Sequence, residues 1–249
     1  MSIPGTGFFD VANINSLGNM VRNEVGQTVS SFYGYQVIGL FSDAADVTNS
    51  PTQTGAGPGR FKYKDISGDK IISSNDRTSL GSPNPDFTYG LNLGLNFKNF
   101  DFATNFYGSQ GNEAVNSVRA FTDFFGEQGA KSNVLLNAWT PTNMNTTIPK
   151  IEQVRNFSTN GVMNSYVVED ASYFRLRSLI LGYTIKPKTL SKAGLSGLRV
   201  YVQGTNLFTL TKYTGLDPEL GGNSSNFGID YGNYPNNQKN FLLGLNVSF

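Results

Sequence analysis

Neither cysteine nor histidine occurs among the 249 residues. Without cysteine there are no disulfides, no thiolate nucleophile and no Cys–zinc site. Without histidine there is no imidazole base, no Ser-His-Asp arrangement and no His-bound metal. Charge is also scarce. Only 15% of residues are charged, where about a quarter is usual. The net charge of +1 offers no basic face for nucleic acid. No run of about 18 apolar residues exists, so no transmembrane helix is expected. Met1-Ser2-Ile3-Pro4-Gly5 has no basic start and no apolar core, so no signal peptide is visible.

Present instead are 28 Gly, 19 Phe and 12 Tyr. An aromatic, lipid-facing outside combined with a polar inside gives this mixture in a β-barrel. The length permits one β-rich domain or two small ones.

Alternation at period two dominates. From Phe87 to Phe97 every odd position is apolar or aromatic, and every even one is Thr, Gly or Asn. One face wants hydrocarbon and the other wants water. The run is about long enough to cross a bilayer as a tilted strand. Lys98-Asn99 reverses it, and Phe100, Phe102, Thr104 and Phe106 continue the pattern. Phe241, Leu243, Leu245, Val247 and Phe249 repeat it at the end of the chain. Further strands are expected over Leu198–Gly204, about Tyr166–Lys186, and Phe32–Phe41. In the Tyr166–Lys186 stretch Arg175 and Arg177 share a parity with Leu179, Leu181 and Tyr183. The expectation is a strand end that leaves the membrane, or a lumen-facing pair meeting a plug.

Connections alternate between long and short, as in bacterial outer-membrane barrels. The segments 42–86, 111–165 and 211–239 are long; 98–99 and 187–197 are short. The long ones read as extracellular loops rich in turn residues. Ser132 is expected to cap a short helix over Asn133–Trp139. About six spanning strands result, and an open edge in lipid is costly. Two architectures fit: a small closed barrel of about eight strands, or a larger barrel whose remainder lies on other sequence. A soluble half-buried sheet also alternates, which keeps a β-sandwich carbohydrate-binding module as the alternative. An exported barrel without a leader at Met1 implies that the true N-terminus lies elsewhere.

Several segments resemble the C-terminal region of SusC/RagA-family TonB-linked outer-membrane proteins. They include Ser31-Phe32-Tyr33-Gly34-Tyr35, Gly81-Ser82-Pro83-Asn84-Pro85-Asp86-Phe87 and Trp139-Thr140-Pro141. Tyr173-Phe174-Arg175-Leu176-Arg177, Gln203-Gly204-Thr205-Asn206-Leu207-Phe208, Gly215-Leu216-Asp217-Pro218-Glu219 and Phe249 continue the series. The likeness runs from about residue 20 onward. It implies an all-β fold: a partial, antiparallel transmembrane barrel, the C-terminal strands of a roughly 22-stranded barrel, with plug and early strands absent over 1–249. It implies residence in the cell outer membrane. It implies import of glycans or peptides together with a SusD-like surface lipoprotein, driven through TonB by the missing N-terminal region. The barrel assembly machinery would read Phe249 as an assembly signal, although a lipid-facing aromatic there needs no further role. No enzyme activity is expected.

One loop has metal-ligand spacing. Asp65, Ser67, Asp69, Ile71 and Asp76 occupy positions 1, 3, 5, 7 and 12 of an EF-like calcium loop. Lys70 stands where such loops carry Gly, and Asp replaces Glu at the end; a polar turn is the plainer reading. Gly55-Ala56-Gly57-Pro58-Gly59 lacks the strand, helix and lysine of a phosphate cradle, so a flexible loop is expected. Asn145-Thr146-Thr147, Asn156-Phe157-Ser158 and Asn223-Ser224-Ser225 match the glycosylation pattern by chance. The acids Asp123, Glu127, Asp217 and Glu219 show no spacing that singles out a hydrolytic pair. The aromatics Phe121, Phe124, Phe125, Trp139, Tyr231 and Tyr234 could stack on sugars or a lipoprotein lid, or pack the loops.

Overall fold

The computed structural model describes residues 7–14, 17–124, 130–186, 194–222 and 226–249. Phe125, Glu127 and Asn223–Ser225 lie outside the described residues. In chain order the strands are β1 (Phe8–Ile14), β2 (Gly18–Glu24), β3 (Ser31–Tyr35), β4 (Val37–Leu40), β5 (Phe61–Tyr63), β6 (Arg77–Gly81) and β7 (Phe87–Phe97). They continue as β8 (Phe100–Gln110), β9 (Glu113–Asn116), β10 (Val168–Asp170), β11 (Tyr173–Ile185), β12 (Gly197–Thr211), β13 (Ile229–Asp230) and β14 (Asn240–Ser248). Two short helices, α1 (Ala44–Asn49) and α2 (Arg119–Thr122), interrupt them. No described helix is long and apolar enough to cross a membrane.

The chain divides into two units. The first comprises residues 1–84, 112–170 and 220–233. It holds an antiparallel sheet in the order β1-β2-β3-β6, a β10-β9-β13 sheet and the β4-β5 pair. Most of its residues come from segments expected to be long loops. These segments are packed: Met20, Val21, Phe32, Val115, Met163 and Val167 form one buried cluster. Tyr35, Phe61, Tyr63, Ile72 and Phe124 form a second. Burying each large apolar side chain stabilises by roughly 2–3 kcal/mol. The expected strand over Phe32–Phe41 breaks at Gln36 into β3 and β4, which belong to different sheets. Neighbouring residues of both parities are buried in β3, so this run packs within protein and does not belong to the spanning set. The 3-10 turn at Asn133–Asn137 is capped by Ser132, whose Oγ accepts from Val134 N–H at 3.3 Å. It ends at Asn137, two residues before the expected end at Trp139.

The second unit, residues 85–111, 171–219 and 234–249, is one antiparallel sheet in the order β14-β12-β11-β8-β7. Its strands run 9–15 residues. Lys98, at a φ of 57°, makes the two-residue turn between β7 and β8. Asn99 ties that turn to β11 by exchanging hydrogen bonds with the Thr184 main chain at 2.8 Å. The sheet is open: β7 and β14 are its two edges. Among the described residues five long strands stand where about six are expected, and β7 and β14 do not pair as a small closed barrel would require.

The register explains the odd parity of the arginines. Leu176 faces Phe106 of β8, but Ser178 faces Asn105, so Arg177 is an extra residue in β11. The same bulge opposes Asn206-Leu207 of β12, where Asn206 adopts a φ of 53°. A bulge flips the side-chain alternation beyond it. Phe174 and Leu176 therefore share a face with Leu179, Leu181 and Tyr183, whereas Arg175 lies on the opposite face.

Candidate functional site

Cross-strand pairing assembles the odd positions of β7 into a continuous apolar face. Leu95 lies beside Phe102, Leu181, Val202 and Leu243 along one row. Phe97, Phe100, Tyr183, Val200 and Leu245 form the next. Along β7 this face is bare, with Leu91, Leu93, Leu95 and Phe97 46–69% exposed, whereas Leu176 beside the β11 bulge is packed. A β-sandwich would bury them beneath a second sheet.

Aromatic side chains bound the aliphatic band at both ends. At one end the Phe106 and Phe174 rings stack with centroids 5.4 Å apart, with Tyr89 stacked at 6.0 Å and Phe208 tilted at 6.5 Å. Tyr89 lies directly over Gly108, where any Cβ would collide with its ring. At the other end Phe100 and Tyr183 meet at 4.8 Å. Tyr89 and Phe97 are eight residues apart on one strand, about 27 Å along it and roughly 20 Å in height after strand tilt. This matches a lipid-facing belt between two aromatic girdles.

The opposite face is polar. Asn105 donates to Asn92 at 2.5 Å. Arg199 forms a two-pronged ion pair with Asp101, Nε at 2.9 Å and Nη2 at 2.5 Å. The pair crosses β11 at Gly182, where a Cβ would strike both partners. Farther along this face, Arg175 is buried, its side chain only 1% exposed. It donates to Asp217 at 2.5 Å, Glu219 at 2.7 Å and Thr209 at 2.8 Å. Arg177 adds a bond to Glu219 at 2.6 Å. The expectation of a solvated strand end thus fails for Arg175, because the loop after β12 supplies its carboxylates. Asp217 Oδ2 has no hydrogen-bond partner among the described residues.

The 65–76 loop brings together three of its five expected ligands. Carboxylate oxygens of Asp65, Asp69 and Asp76 lie within 4.8 Å of one another. Backbone donors already engage them. Asp76 accepts from Ile66 and Ser67 at 2.9 Å and from Ser73 at 2.8 Å. Asp65 accepts from Gly68 at 2.7 Å and Lys70 at 2.9 Å, and Asp69 from Ile71 at 2.8 Å. Ser67 Oγ donates to Asp65 at 3.3 Å and faces that carboxylate. Burial opposes charge on Asp76, but the N–H groups of Ser67, Ser73 and Ile66 hold its carboxyl below the usual range. Ser73 and Asp76 form a capping box, a signal legible in the Ser-x-x-Asp spacing.

Of the other expected residues, Asp123, Phe124 and Trp139 are packed or bonded within the protein, whereas Phe121, Tyr231 and Tyr234 are exposed. Asp123 accepts from Arg119 at 2.8 Å and from Tyr166 at 2.9 Å. The glycine-rich turn is packed: Gly59 lies against Trp139, and Arg60 donates to Gly55 O at 2.6 Å. Phe249 is 91% exposed, and its carbonyl accepts from Ser196 Oγ at 3.1 Å.

No protein-family model matches the chain. TonB-dependent receptor P3 of Formosa agariphila is 37% identical over 235 residues, 90% of this chain and 22% of the relative. TonB-dependent receptor P26 of the same organism is 33% identical over the whole chain and 26% of its own length. TonB-dependent receptor SusC of Bacteroides thetaiotaomicron is 30% identical over 94% of the chain and 21% of its length. Among solved structures, the RagAB peptide transporter superposes with a TM-score of 0.73 at 27% identity, covering 99% of this chain and 25% of that one. The chain thus spans about a quarter of the length of these relatives.

Proposed function

The chain belongs to the SusC/RagA family of TonB-dependent receptors, and from that premise we propose that it is a C-terminal stretch of the barrel wall of an outer-membrane importer. Glycans or peptides are the cargo classes. A SusD-like surface lipoprotein is the outer partner, and TonB acts through an N-terminal region beyond this chain. The aliphatic face meets outer-membrane lipid, and Phe249 serves the barrel assembly machinery as its recognition residue. One observation carries the reading: a bare apolar band built from alternate residues of neighbouring strands, flanked by aromatic rows at both ends. In water such a patch would be an aggregation hazard; in lipid it is satisfied.

The test is fractionation of the full-length protein from its host. It should sediment with outer membranes, need detergent for extraction, and migrate faster on gels when unheated. Recovery as a soluble monomer would refute the assignment.

A further inference from the structure

Strand parity builds a second face in the first unit. In β2 and β3 the residues Val21 and Phe32 turn into the core. Their neighbours Arg22 and Ser31, directly paired across the strands, turn the other way. Tyr33 pairs with Ser79 of β6 on that same side. The result is a half-open cavity of about 210 Å³ lined by Arg22, Glu24, Ser31, Tyr33, Arg77 and Ser79 together with further polar groups. Tyr33 is its one aromatic ring.

The two guanidinium groups are not equivalent. Arg22 lies 3.7 Å from the centroids of both Phe8 and Tyr33, and its edge is spent on Asp10 at 2.8 Å. Arg77 lies 4.8 Å from the same Tyr33 ring. Its Nη2 donates to the carbonyls of Asn19 at 2.5 Å and Tyr33 at 3.0 Å. Among the described residues no carboxylate lies within ion-pair distance of Arg77, although Asp10, bound to Arg22, feels its charge. The Nε and Nη1 of Arg77 carry no further bond among the described residues, and each can donate singly to an oxyanion. The tyrosine face is already taken by cations, and the other walls are hydroxyl, amide or charged. Such a lining rewards a hydroxyl-rich ligand over an apolar side chain. The volume is below the roughly 300–1,000 Å³ of drug-sized pockets and suits one sugar ring.

We infer that this cavity is a subsite for an acidic sugar unit, with Arg77 donating to the carboxylate and the exposed Ser79 hydroxyl facing the ring hydroxyls, while Ser31, whose hydroxyl donates to Thr28 O, forms the floor. The inference rests on the import reading and narrows its cargo to acidic glycans. Glu24 lines the same cavity and opposes the anion, so it tunes affinity downward.

The experiment is calorimetric titration of the detergent-purified full-length receptor with oligogalacturonate, and with a neutral maltooligosaccharide as control. Oligogalacturonate should bind. Arg77→Gln should weaken it at least tenfold, Glu24→Gln should tighten it severalfold, and Ser79→Trp, which leaves every main-chain bond of Arg77 intact, should abolish it by filling the cavity. No binding by the unmodified receptor, equal binding of the neutral oligomer, or indifference to Arg77→Gln and Ser79→Trp would each overturn the subsite. So would preference for an acidic peptide. Heat-modifiable migration is read on the same preparations. A retained barrel without ligand sinks only the subsite, whereas loss of the barrel signature sinks the import reading.

Discussion

Arg175 Nη2 donates to Asp217 Oδ1 at 2.5 Å across 42 residues of sequence. This buried bond ties the spanning strand β11 to the loop that follows β12. Truncating one partner of a buried pair strands the other charge, at a cost of about 3–5 kcal/mol. Arg175→Met should therefore lower the unfolding temperature of the full receptor sharply. The double variant Arg175→Met/Asp217→Leu should recover part of the loss. A double variant no more stable than the single one would remove the pair from this role.

Opposite faces of β7 should respond oppositely to charge. Leu93→Arg places a cation in the lipid band, at roughly 2–4 kcal/mol near the bilayer midplane. Asn92→Arg places it on the polar side and should leave folded yield nearly unchanged. Counting heat-modifiable receptor in outer-membrane fractions checks both.

Gly182 leaves room for the Asp101–Arg199 pair to cross the strand between them. Gly182→Val should displace that pair and reduce assembly, whereas Gly94→Val, with open space at its Cβ, should be tolerated. Equal yields of the two variants would show that the crossing has no structural weight.

Asp76 gives the 65–76 loop an acid limit. Its folded carboxyl titrates below the ordinary 3.8. The charged form is therefore the stabilising one: the contribution is complete above the unfolded value and lost as pH falls through the folded one. Amide protection at Ser67 and Ser73, corrected for intrinsic exchange, should decline below about pH 4. Asp76→Asn should remove that decline. Asp76→Ala should free three partly exposed N–H donors of Ile66, Ser67 and Ser73 and lower their protection at every pH.

The calcium expectation for the same loop has a direct test. Millimolar calcium should slow proteolysis within 65–76, and Asp69→Ala, which removes the exposed carboxylate of the trio, should cancel the effect. Proteolysis indifferent to calcium would leave the carboxylates their backbone role alone.

The spanning hairpin was legible because its alternation is local: Phe87–Phe97 states both of its faces without help from the rest of the chain. The run Phe32–Phe41 was misread because β3 is buried on both faces, and sequence periodicity cannot tell lipid from protein as the apolar neighbour. The bulge at Arg177 was invisible because it is defined by the partners in β8 and β12. The carboxylates of Arg175 lie 42 and 44 residues away, beyond any local window. In the 65–76 loop, Asp76 belongs to two local patterns, the EF-like spacing and the Ser73-x-x-Asp76 cap, and the structure forms the cap.

The open sheet has a practical consequence. Its rims, β7 and β14, each present a row of unsatisfied amides, and the two rims are not alike. Excised from the rest of its polypeptide, one copy could dock its β14 onto the β7 of the next. That head-to-tail addition has no closing symmetry and would propagate into fibres. Work on this chain therefore calls for conditions or a longer polypeptide that keep both rims covered.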